Sequence, residues 1–150
     1  MKTAYFSLGC FWSPQLEFEK LEGVKKAEVG YCGGDDPNTT YEKVCSGSTN
    51  HAETVKVDYD EKLVSYEDLV RFFFKIHDPT QLNKQGPDVG TQYRSEIFYI
   101  DENQKQIAEK IKNEINNKFK GKVVTKVSKE KLYQPAEKYH QYYLKRKNFI

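Results

Sequence analysis

The stretch that decides the fold is residues 3–14, Thr-Ala-Tyr-Phe-Ser-Leu-Gly-Cys-Phe-Trp-Ser-Pro. Its first half alternates and carries two aromatic residues, which is typical of a β-strand over residues 3–8. The glycine that follows permits a tight turn, and Ser13-Pro14 is the pattern of a helix N-cap and a first helical residue. The segment therefore predicts a strand, a turn that carries Cys10, and a helix.

Outward from this segment, strand and helix patterns continue along the chain. Further strands are predicted over residues 24–31, 53–59, 95–100 and 123–127, and further helices from Ser65 to Asp78 and from Asp101 to Gly121. Loops are predicted over residues 35–41 and 81–92, and a weakly helical end that either packs or hangs loose over residues 136–147. This order predicts an α+β fold, a two-layer α/β sandwich in which helices flank a ferredoxin-like mixed sheet with long active-site loops.

Composition and charge bound the class of protein. A chain of 150 residues fits a single domain, 1–150. It carries 24 basic and 22 acidic residues, and this net charge of +2 is too small for a nucleic-acid binding surface. No apolar run reaches the roughly 20 residues that cross a bilayer, and the first residues lack a signal-peptide pattern. We therefore expect a soluble cytoplasmic protein with no nucleic-acid or membrane partner.

The three cysteines, at positions 10, 32 and 45, form no Cys-x-x-Cys pair. An odd number in a chain that can fold without disulfides favours reactive thiols in a reducing compartment. Their spacing, with His51 included, fits no common zinc pattern, so a zinc-binding interaction module is the weaker alternative and we expect no metal.

Cys10 is the sharpest candidate for chemistry. A thiol just before a helix N-terminus has backbone N–H groups and the helix dipole to stabilise its thiolate, so we expect a lowered pKa. A buried cysteine that packs as a small hydrophobe explains this position equally well. The adjacent Phe11 and Trp12 either pack in the core or form an aromatic wall for an apolar substrate group.

Four further side chains are candidates for polar chemistry. Glu53 begins a strand, and a carboxyl in an apolar cleft stays protonated and can donate a proton, although most strand glutamates are simply solvated. Tyr41, Asp88 and Tyr93 fall in predicted loops, where phenols can hydrogen-bond a polar substrate oxygen. Taken singly, each of these three is more often structural.

Taken together, these residues resemble a known family along nearly the whole chain apart from its C-terminal end. The matching blocks are Gly9-Cys10-Phe11-Trp12, Gly30-Tyr31 with Gly33-Gly34, Thr40-Tyr41, Val44-Cys45-Ser46-Gly47, His51-Ala52-Glu53, His77-Asp78-Pro79-Thr80, and Gln85 to Ser95. They are similar to those of peptide methionine sulfoxide reductase of the A type. Several long blocks in the right order are very hard to obtain by chance.

The resemblance implies reduction of the S epimer of methionine sulfoxide, free or in proteins, for protein repair under oxidative stress and without a cofactor. It also implies the following roles: Cys10 as nucleophile, Glu53 as acid, Phe11 and Trp12 as receptors of the substrate methyl, Tyr41 and Tyr93 as ligands of the sulfoxide oxygen, and Asp88 as the carboxylate that orders this polar network. A sulfoxide sulfur is a poor electrophile until its oxygen is protonated or hydrogen-bonded, so these roles agree with the chemistry.

The resemblance further implies that attack leaves a sulfenic acid, which a second thiol must reduce. Many relatives carry resolving cysteines in a C-terminal tail, whereas residues 145–150 contain none. We expect direct reduction by thioredoxin, glutaredoxin or a small thiol, with a Cys10–Cys32 disulfide as the alternative. Cys45 matches a cysteine that relatives share without using it for resolution, and we expect it to be structural.

Two departures and two rival interpretations complete the prediction. Ser13 and Asn50 replace usual glycines, but serine caps helices and asparagine tolerates left-handed backbone angles. A cysteine hydrolase would need His51, His77 or His140 at hydrogen-bond distance from the thiol. A catalytically inactive relative that only binds oxidised peptides is the other alternative.

Overall fold

The computed structural model describes residues 1–146. The strands are β1 (Lys2–Leu8), β2 (Val24–Cys32), β3 (Ala52–Tyr59), β4 (Lys84–Gln85), β5 (Asp88–Val89), β6 (Ser95–Tyr99), β7 (Lys126–Lys129) and β8 (Gln134–Pro135). The helices are α1 (Trp12–Glu19), α2 (Tyr41–Cys45), α3 (Tyr66–Lys75), α4 (Glu102–Lys118) and α5 (Tyr143–Arg146), with 3-10 turns at Thr91–Tyr93 and Lys138–His140.

Six of these strands form one sheet in the order β7-β6-β1-β3-β2-β8, and β4 and β5 form a separate hairpin. Neighbouring strands in the sheet are antiparallel except β6 and β7, which are parallel, so the sheet is mixed. The central order β6-β1-β3-β2, with α1 after β1 and α3 after β3, is the ferredoxin-like split βαβ arrangement. The predicted α+β fold is confirmed.

The main core lies between the sheet and the long helices. Every second side chain of β1 points into it, because alternate residues of a strand share one face. The Phe6 ring stacks on Phe18 of α1 with ring centres 5.1 Å apart and on Phe73 of α3 at 5.4 Å. Burial of one such side chain stabilises the fold by roughly 1.5–3 kcal/mol. These rings therefore hold two helices on the strand that leads to Cys10.

The opposite face of the sheet carries a smaller apolar cluster. Cys32, Ala52 and Phe98 are fully buried there, and Tyr5 and Tyr133 pack against them. The Tyr5 and Tyr133 rings lie 5.0 Å apart. The chain that leads into β8 therefore covers part of this face, which is the face away from α1.

The departures from the predicted elements are local. The prediction of Ser13 as the N-cap of α1 is wrong, because Phe11 is the N-cap and the helix begins at Trp12. Pro14 then takes the third helical position, where its missing N–H removes no bond because the first N–H groups of a helix have no intrahelical acceptor. The last predicted strand begins later, at Lys126, because the N–H of Val124 donates to a carbonyl of the α3–β4 loop.

Two segments without a definite prediction are ordered. Residues 81–92 contain the β4–β5 hairpin, which Gln85 ties to the end of α3 through two hydrogen bonds of 2.9 Å to the backbone of Asp78. Residues 136–143 pack against the body of the protein through His140, Gln141 and Tyr142, whereas the final residue of the predicted segment 136–147 lies outside the described range. Within residues 1–146, no helix combines the length and apolar character that crossing a membrane requires.

Candidate active site

Cys10 lies in the turn between β1 and α1. Gly9 makes this turn with φ at 102°, a left-handed value, and a Cβ there would come within 2.8 Å of the Gln85 Cβ. The Cys10 side chain is partly exposed and lines a cavity of about 220 Å³ together with His77, Gln85 and Asp88. The thiol is therefore within reach of a substrate.

The Cys10 thiol has a raised pKa in the protein without substrate. Burial raises it to about 12, the negative charge of Glu53 adds to this, and a hydrogen bond from the Trp12 backbone N–H lowers it. The predicted lowered pKa is therefore wrong for this state, because loss of solvent and the nearby carboxylate outweigh the helix N–H group. Asp88 and Cys45 also raise the pKa of Cys10, so neutralisation of Glu53 would remove one of several causes.

Glu53 is a buried carboxyl in β3, directly opposite Tyr31 of β2. It is 1% exposed, and its Oε1 accepts a hydrogen bond of 3.2 Å from the N–H of Phe11, the N-cap of α1. Its Oε2 is buried and has no hydrogen-bond partner within residues 1–146. Burial raises the Glu53 pKa to about 8, and the charge of Asp88 adds to this, whereas the Phe11 N–H lowers it. At neutral pH the carboxyl therefore retains its proton.

Two phenols lie within electrostatic reach of Glu53. Tyr41 begins α2 and Tyr93 ends the 3-10 turn that follows the hairpin. Burial and then the Glu53 charge raise the pKa of Tyr93 to about 12, and burial, a hydrogen bond with Cys45 and the Glu53 charge raise that of Tyr41. Both phenols therefore stay protonated and can donate hydrogen bonds at neutral pH.

Asp88 reaches the same place from the β4–β5 hairpin. It is partly buried and lines the cavity beside Cys10. Its negative charge raises the pKa of both Cys10 and Glu53. The hairpin thus brings a carboxylate to the thiol from a segment far along the chain.

The aromatic pair after Cys10 divides between core and surface. Phe11 is 1% exposed and packs in the main core, with its ring centre 5.8 Å from that of Tyr31. Trp12 is only partly buried, and its indole stacks on Tyr143 with ring centres 3.9 Å apart. Of this pair, Trp12 is the ring that can contact a substrate.

Two residues of the C-terminal segment contact this site: Glu137, which the sequence did not indicate, and His140, which it indicated only as a candidate activator of the thiol in a hydrolase. Glu137 accepts hydrogen bonds from the Tyr31 hydroxyl at 2.8 Å and from the Tyr41 N–H at 3.1 Å. His140 is buried, and its Nδ1 accepts a hydrogen bond of 3.1 Å from the Trp12 indole. The abundance of aromatic residues in this segment was the only available signal, since its helical periodicity is weak.

The two other cysteines differ in their access to Cys10. Cys32 is fully buried in the cluster on the far face of the sheet, and its thiol donates to the Lys131 carbonyl at 3.5 Å. Its neighbour Tyr31 packs in the main core, on the other face. A Cys10–Cys32 disulfide would thus have to cross the sheet. Cys45 is exposed, and its thiol shares a hydrogen bond with the hydroxyl of Tyr41.

The rival interpretations find little support in this geometry. One ring nitrogen of His51 accepts a hydrogen bond from the Gly34 N–H, and the other is hydrogen-bonded to the Asp36 carbonyl. The two ring nitrogens of His77 are hydrogen-bonded to the Phe73 carbonyl and to the Ser95 hydroxyl. Neither imidazole is free to activate a thiol as in a hydrolase. In the described part of the chain, no three His, Cys, Asp or Glu residues are grouped to hold a metal ion.

The two positions that depart from the usual glycines have different outcomes. Asn50 adopts φ of 60°, the left-handed conformation that asparagine was predicted to tolerate. Its backbone carbonyl accepts a hydrogen bond of 2.9 Å from the Arg94 guanidinium, and its side-chain amide donates to the Asp35 carboxylate at 2.7 Å. Ser13 lies inside α1 and lines the cavity beside Cys10.

Fold and site together define a cysteine-dependent oxidoreductase. The chain matches the model of the family "Peptide methionine sulfoxide reductase" over residues 2–149, and it belongs to that family. The type A family and the enzyme class predicted from the sequence, a peptide-methionine (S)-S-oxide reductase, are confirmed.

Individual relatives agree over nearly the whole chain. The chain is 59% identical over 147 residues to peptide methionine sulfoxide reductase MsrA of Pelagibacter ubique, which covers 98% of this chain and 100% of the relative. It is 54% identical over 143 residues to MsrA of Nautilia profundicola, and the match covers 95% of this chain and 82% of that relative.

Solved structures agree as well. The reduced form of Mxr1 from Saccharomyces cerevisiae superposes with a TM-score of 0.91 at 38% identity, covering 97% of this chain and 84% of that one. Mxr1 in complex with Trx2 superposes with a TM-score of 0.68 at 25% identity, and the match covers 95% of this chain and 84% of the Mxr1 chain.

Proposed function

We propose that this chain, as a single catalytic domain, reduces the S epimer of methionine sulfoxide, free or in proteins, by direct attack of Cys10 on the sulfoxide sulfur. The observation that carries this mechanism is the Glu53 carboxyl, which is buried beside a reachable thiol and has a pKa raised to about 8. A neutral carboxyl next to a nucleophile is the arrangement that activation of a sulfoxide oxygen requires.

In this mechanism the sulfoxide oxygen accepts hydrogen bonds from Tyr41 and Tyr93, whose raised pKa values keep them protonated. Glu53 gives its proton to that oxygen as the Cys10 sulfur attacks, and then receives the thiol proton. Attack joins the Cys10 sulfur to the substrate sulfur. This S–S bond then breaks as the protonated oxygen leaves the substrate sulfur and bonds to the Cys10 sulfur. The sulfoxide is thereby reduced to the thioether, and the thiol is oxidised to a sulfenic acid with no other reactant.

The remaining roles follow from position. Trp12, with Phe11 behind it in the core, receives the methyl group, since a flat apolar ring suits a small polarisable substituent. Burial keeps Glu53 protonated by raising its pKa, and the charge of Asp88 adds a smaller contribution in the same direction. Substrate binding thus places an S=O group where its oxygen meets proton donors and its carbon meets an aromatic surface.

Two external thiol groups, from two small thiol molecules or from one dithiol protein, return the enzyme to its reduced form. One displaces the hydroxyl of the Cys10 sulfenic acid as water, and the second reduces the resulting mixed disulfide. The burial of Cys32 on the far face of the sheet favours this route over an internal bridge. We propose thioredoxin, glutaredoxin or a small thiol as the reductant, and the Mxr1 complex with Trx2 supports the first of these. The three free cysteines are consistent with a cytoplasmic location.

The test is reduction of the separate S and R epimers of methionine sulfoxide by the purified protein with dithiothreitol as electron donor. We expect turnover of the S epimer, complete loss in Cys10→Ser, and most of the activity in Cys45→Ser, whose new hydroxyl can still partner Tyr41. Equal loss in the two variants, or equal rates with both epimers, would contradict the assigned chemistry.

A further inference from the structure

The C-terminal segment of residues 134–143, here called the strap, runs across the candidate site. It begins with β8, whose Gln134 and Pro135 pair with Tyr31 and Gly30 of β2. Its later part reaches α1, where the Tyr142 N–H donates to the Gln15 side chain at 2.7 Å. The strap is therefore anchored at both ends, and the residues between these anchors have a defined place over the site.

His140 is the centre of an aromatic cluster in the strap. It is 2% exposed, and its ring centre lies 5.4 Å from Phe11, 5.8 Å from Trp12 and 4.3 Å from Tyr41. These three residues come from two separate parts of the chain, α1 with its cap and α2. One imidazole thus contacts every aromatic residue that the proposed function places around the substrate except Tyr93.

The contact with Trp12 is directional. The indole N–H donates to the His140 Nδ1 at 3.1 Å. The face of the indole stacks on the Tyr143 ring, with ring centres 3.9 Å apart and 14° between the planes. An indole has one N–H and no acceptor, so this single bond determines which edge of the ring turns inward. Loss of the acceptor would let the ring rotate about its side-chain torsions.

The contact with Tyr41 is supported by a second residue of the strap. Glu137 accepts the Tyr41 backbone N–H at 3.1 Å through one oxygen and the Tyr31 hydroxyl at 2.8 Å through the other. This fixes the start of α2, while the imidazole of His140 packs on the Tyr41 ring. The strap thus holds the phenol proposed to bind the oxygen and the indole proposed to receive the methyl in one rigid frame.

We propose that His140 is a positioning residue, whose imidazole sets the separation between the Trp12 indole and the Tyr41 phenol and so determines how well the site accepts a methyl sulfoxide group. The inference rests on the proposed function, because it assigns those two rings to the substrate. His140 acts through its neighbours and takes no part in the transfer of oxygen.

Two variants separate the hydrogen bond from the ring packing. His140→Phe keeps an aromatic ring but removes the acceptor, whereas His140→Asn keeps an acceptor near the position of Nδ1 but removes the ring. Tyr142→Phe, on the same strap, is the matched control, since its hydroxyl donates to the Ala27 carbonyl at 3.1 Å and bonds neither Glu137 nor Trp12. Trp12 is the single tryptophan of the chain, so its fluorescence reports on this site alone.

For His140→Phe we expect KM for methionine S-sulfoxide to rise about ten-fold, the order expected for loss of one hydrogen bond. We expect kcat to change less, and the Trp12 emission to shift with a lower anisotropy. His140→Asn should restore the parental emission and bring KM part of the way back to the parental value, and Tyr142→Phe should match the parent. The rate of Cys10 alkylation should be the same in all four proteins.

Parental emission and KM in His140→Phe would overturn the inference, as would a loss confined to kcat with altered Cys10 alkylation. If His140→Phe does not fold, as judged by circular dichroism, the KM of His140→Asn decides. It should exceed the KM of Tyr142→Phe and of the parent because the ring is lost, and equal KM in all three would overturn the inference. A parent without reductase activity would refute the proposed function, whereas the fluorescence comparison would still test the contact between His140 and Trp12.

Discussion

Replacement of Glu53 by glutamine tests the proton donor of the site. Glutamine has the same shape, and its carbonyl oxygen can still accept the Phe11 N–H, which lies 3.2 Å from the carboxylate. It cannot pass a proton to the sulfoxide oxygen. General acid catalysis contributes about 10²- to 10⁴-fold, so we expect the rate of a single turnover to fall by about that factor.

The same substitution has a pH signature. The parental rate should fall as pH rises through about 8, where Glu53 loses its proton, and Glu53→Gln should lack this inflection. Because the pKa of Glu53 in the folded protein lies above the ordinary glutamate value of 4.5, the folded state holds the proton more tightly than the unfolded state. The stability contributed by the protonated Glu53 is therefore fully present below the pKa of Glu53 in the unfolded chain. It declines by about 5 kcal/mol in total as pH rises from that value to the pKa of Glu53 in the folded protein.

The assay is rapid-quench measurement of methionine release in a single turnover across pH, together with urea denaturation at about pH 5 and about pH 9. Glu53→Gln should be folded at both pH values and should show a smaller loss of stability between them than the parent. A parental rate in Glu53→Gln across the whole range would refute the role of Glu53. An inflection near pH 8 that persists in the variant would assign that ionisation to another group.

Three further predictions address the oxygen ligands, the Cys10 turn and a helix cap. Tyr41→Phe and Tyr93→Phe should each lower kcat/KM by about 10²-fold, the usual cost of one lost donor to a developing oxygen charge, and unchanged steady-state kinetics in both would contradict their role. Gly9→Ala should destabilise the protein by about 1–3 kcal/mol in urea denaturation, because the added Cβ meets the Gln85 Cβ at 2.8 Å on a left-handed backbone, and an unchanged midpoint would speak against this packing. Ser65→Ala should cost about 1 kcal/mol by loss of the N-cap of α3, with activity retained.

The arrangement of the sheet could be predicted because its long elements have strong patterns. β1 and β3 alternate, and the Ser65 and Asp101 caps lie where the structure has them. The start of α1 was missed because Ser13-Pro14 is a common helix start, whereas here the N–H of the true cap, Phe11, is satisfied by a carboxyl 42 residues away in the chain. A bond of that range leaves no local signal.

The candidate site could be located from its sequence blocks, which place Cys10, Glu53 and Asp88 on three elements that meet. Its electrostatics could not, because the raised pKa of Cys10 depends on burial and on the distance to Glu53. The role of the strap could not be predicted from the sequence either. His140 acts through rings of α1 and α2, and a single histidine in a weakly periodic segment carries no pattern of its own.

Mass spectrometry after one turnover tests most directly whether the Cys10 sulfur takes the oxygen from the substrate. The reduced protein is mixed with one equivalent of methionine S-sulfoxide in the absence of any reductant and is then trapped with a sulfenic-acid reagent. We expect one adduct, on Cys10, with Cys32 and Cys45 unmodified and one methionine released. A Cys10–Cys32 disulfide, an adduct on another cysteine, or methionine released without modification of Cys10 would contradict this expectation.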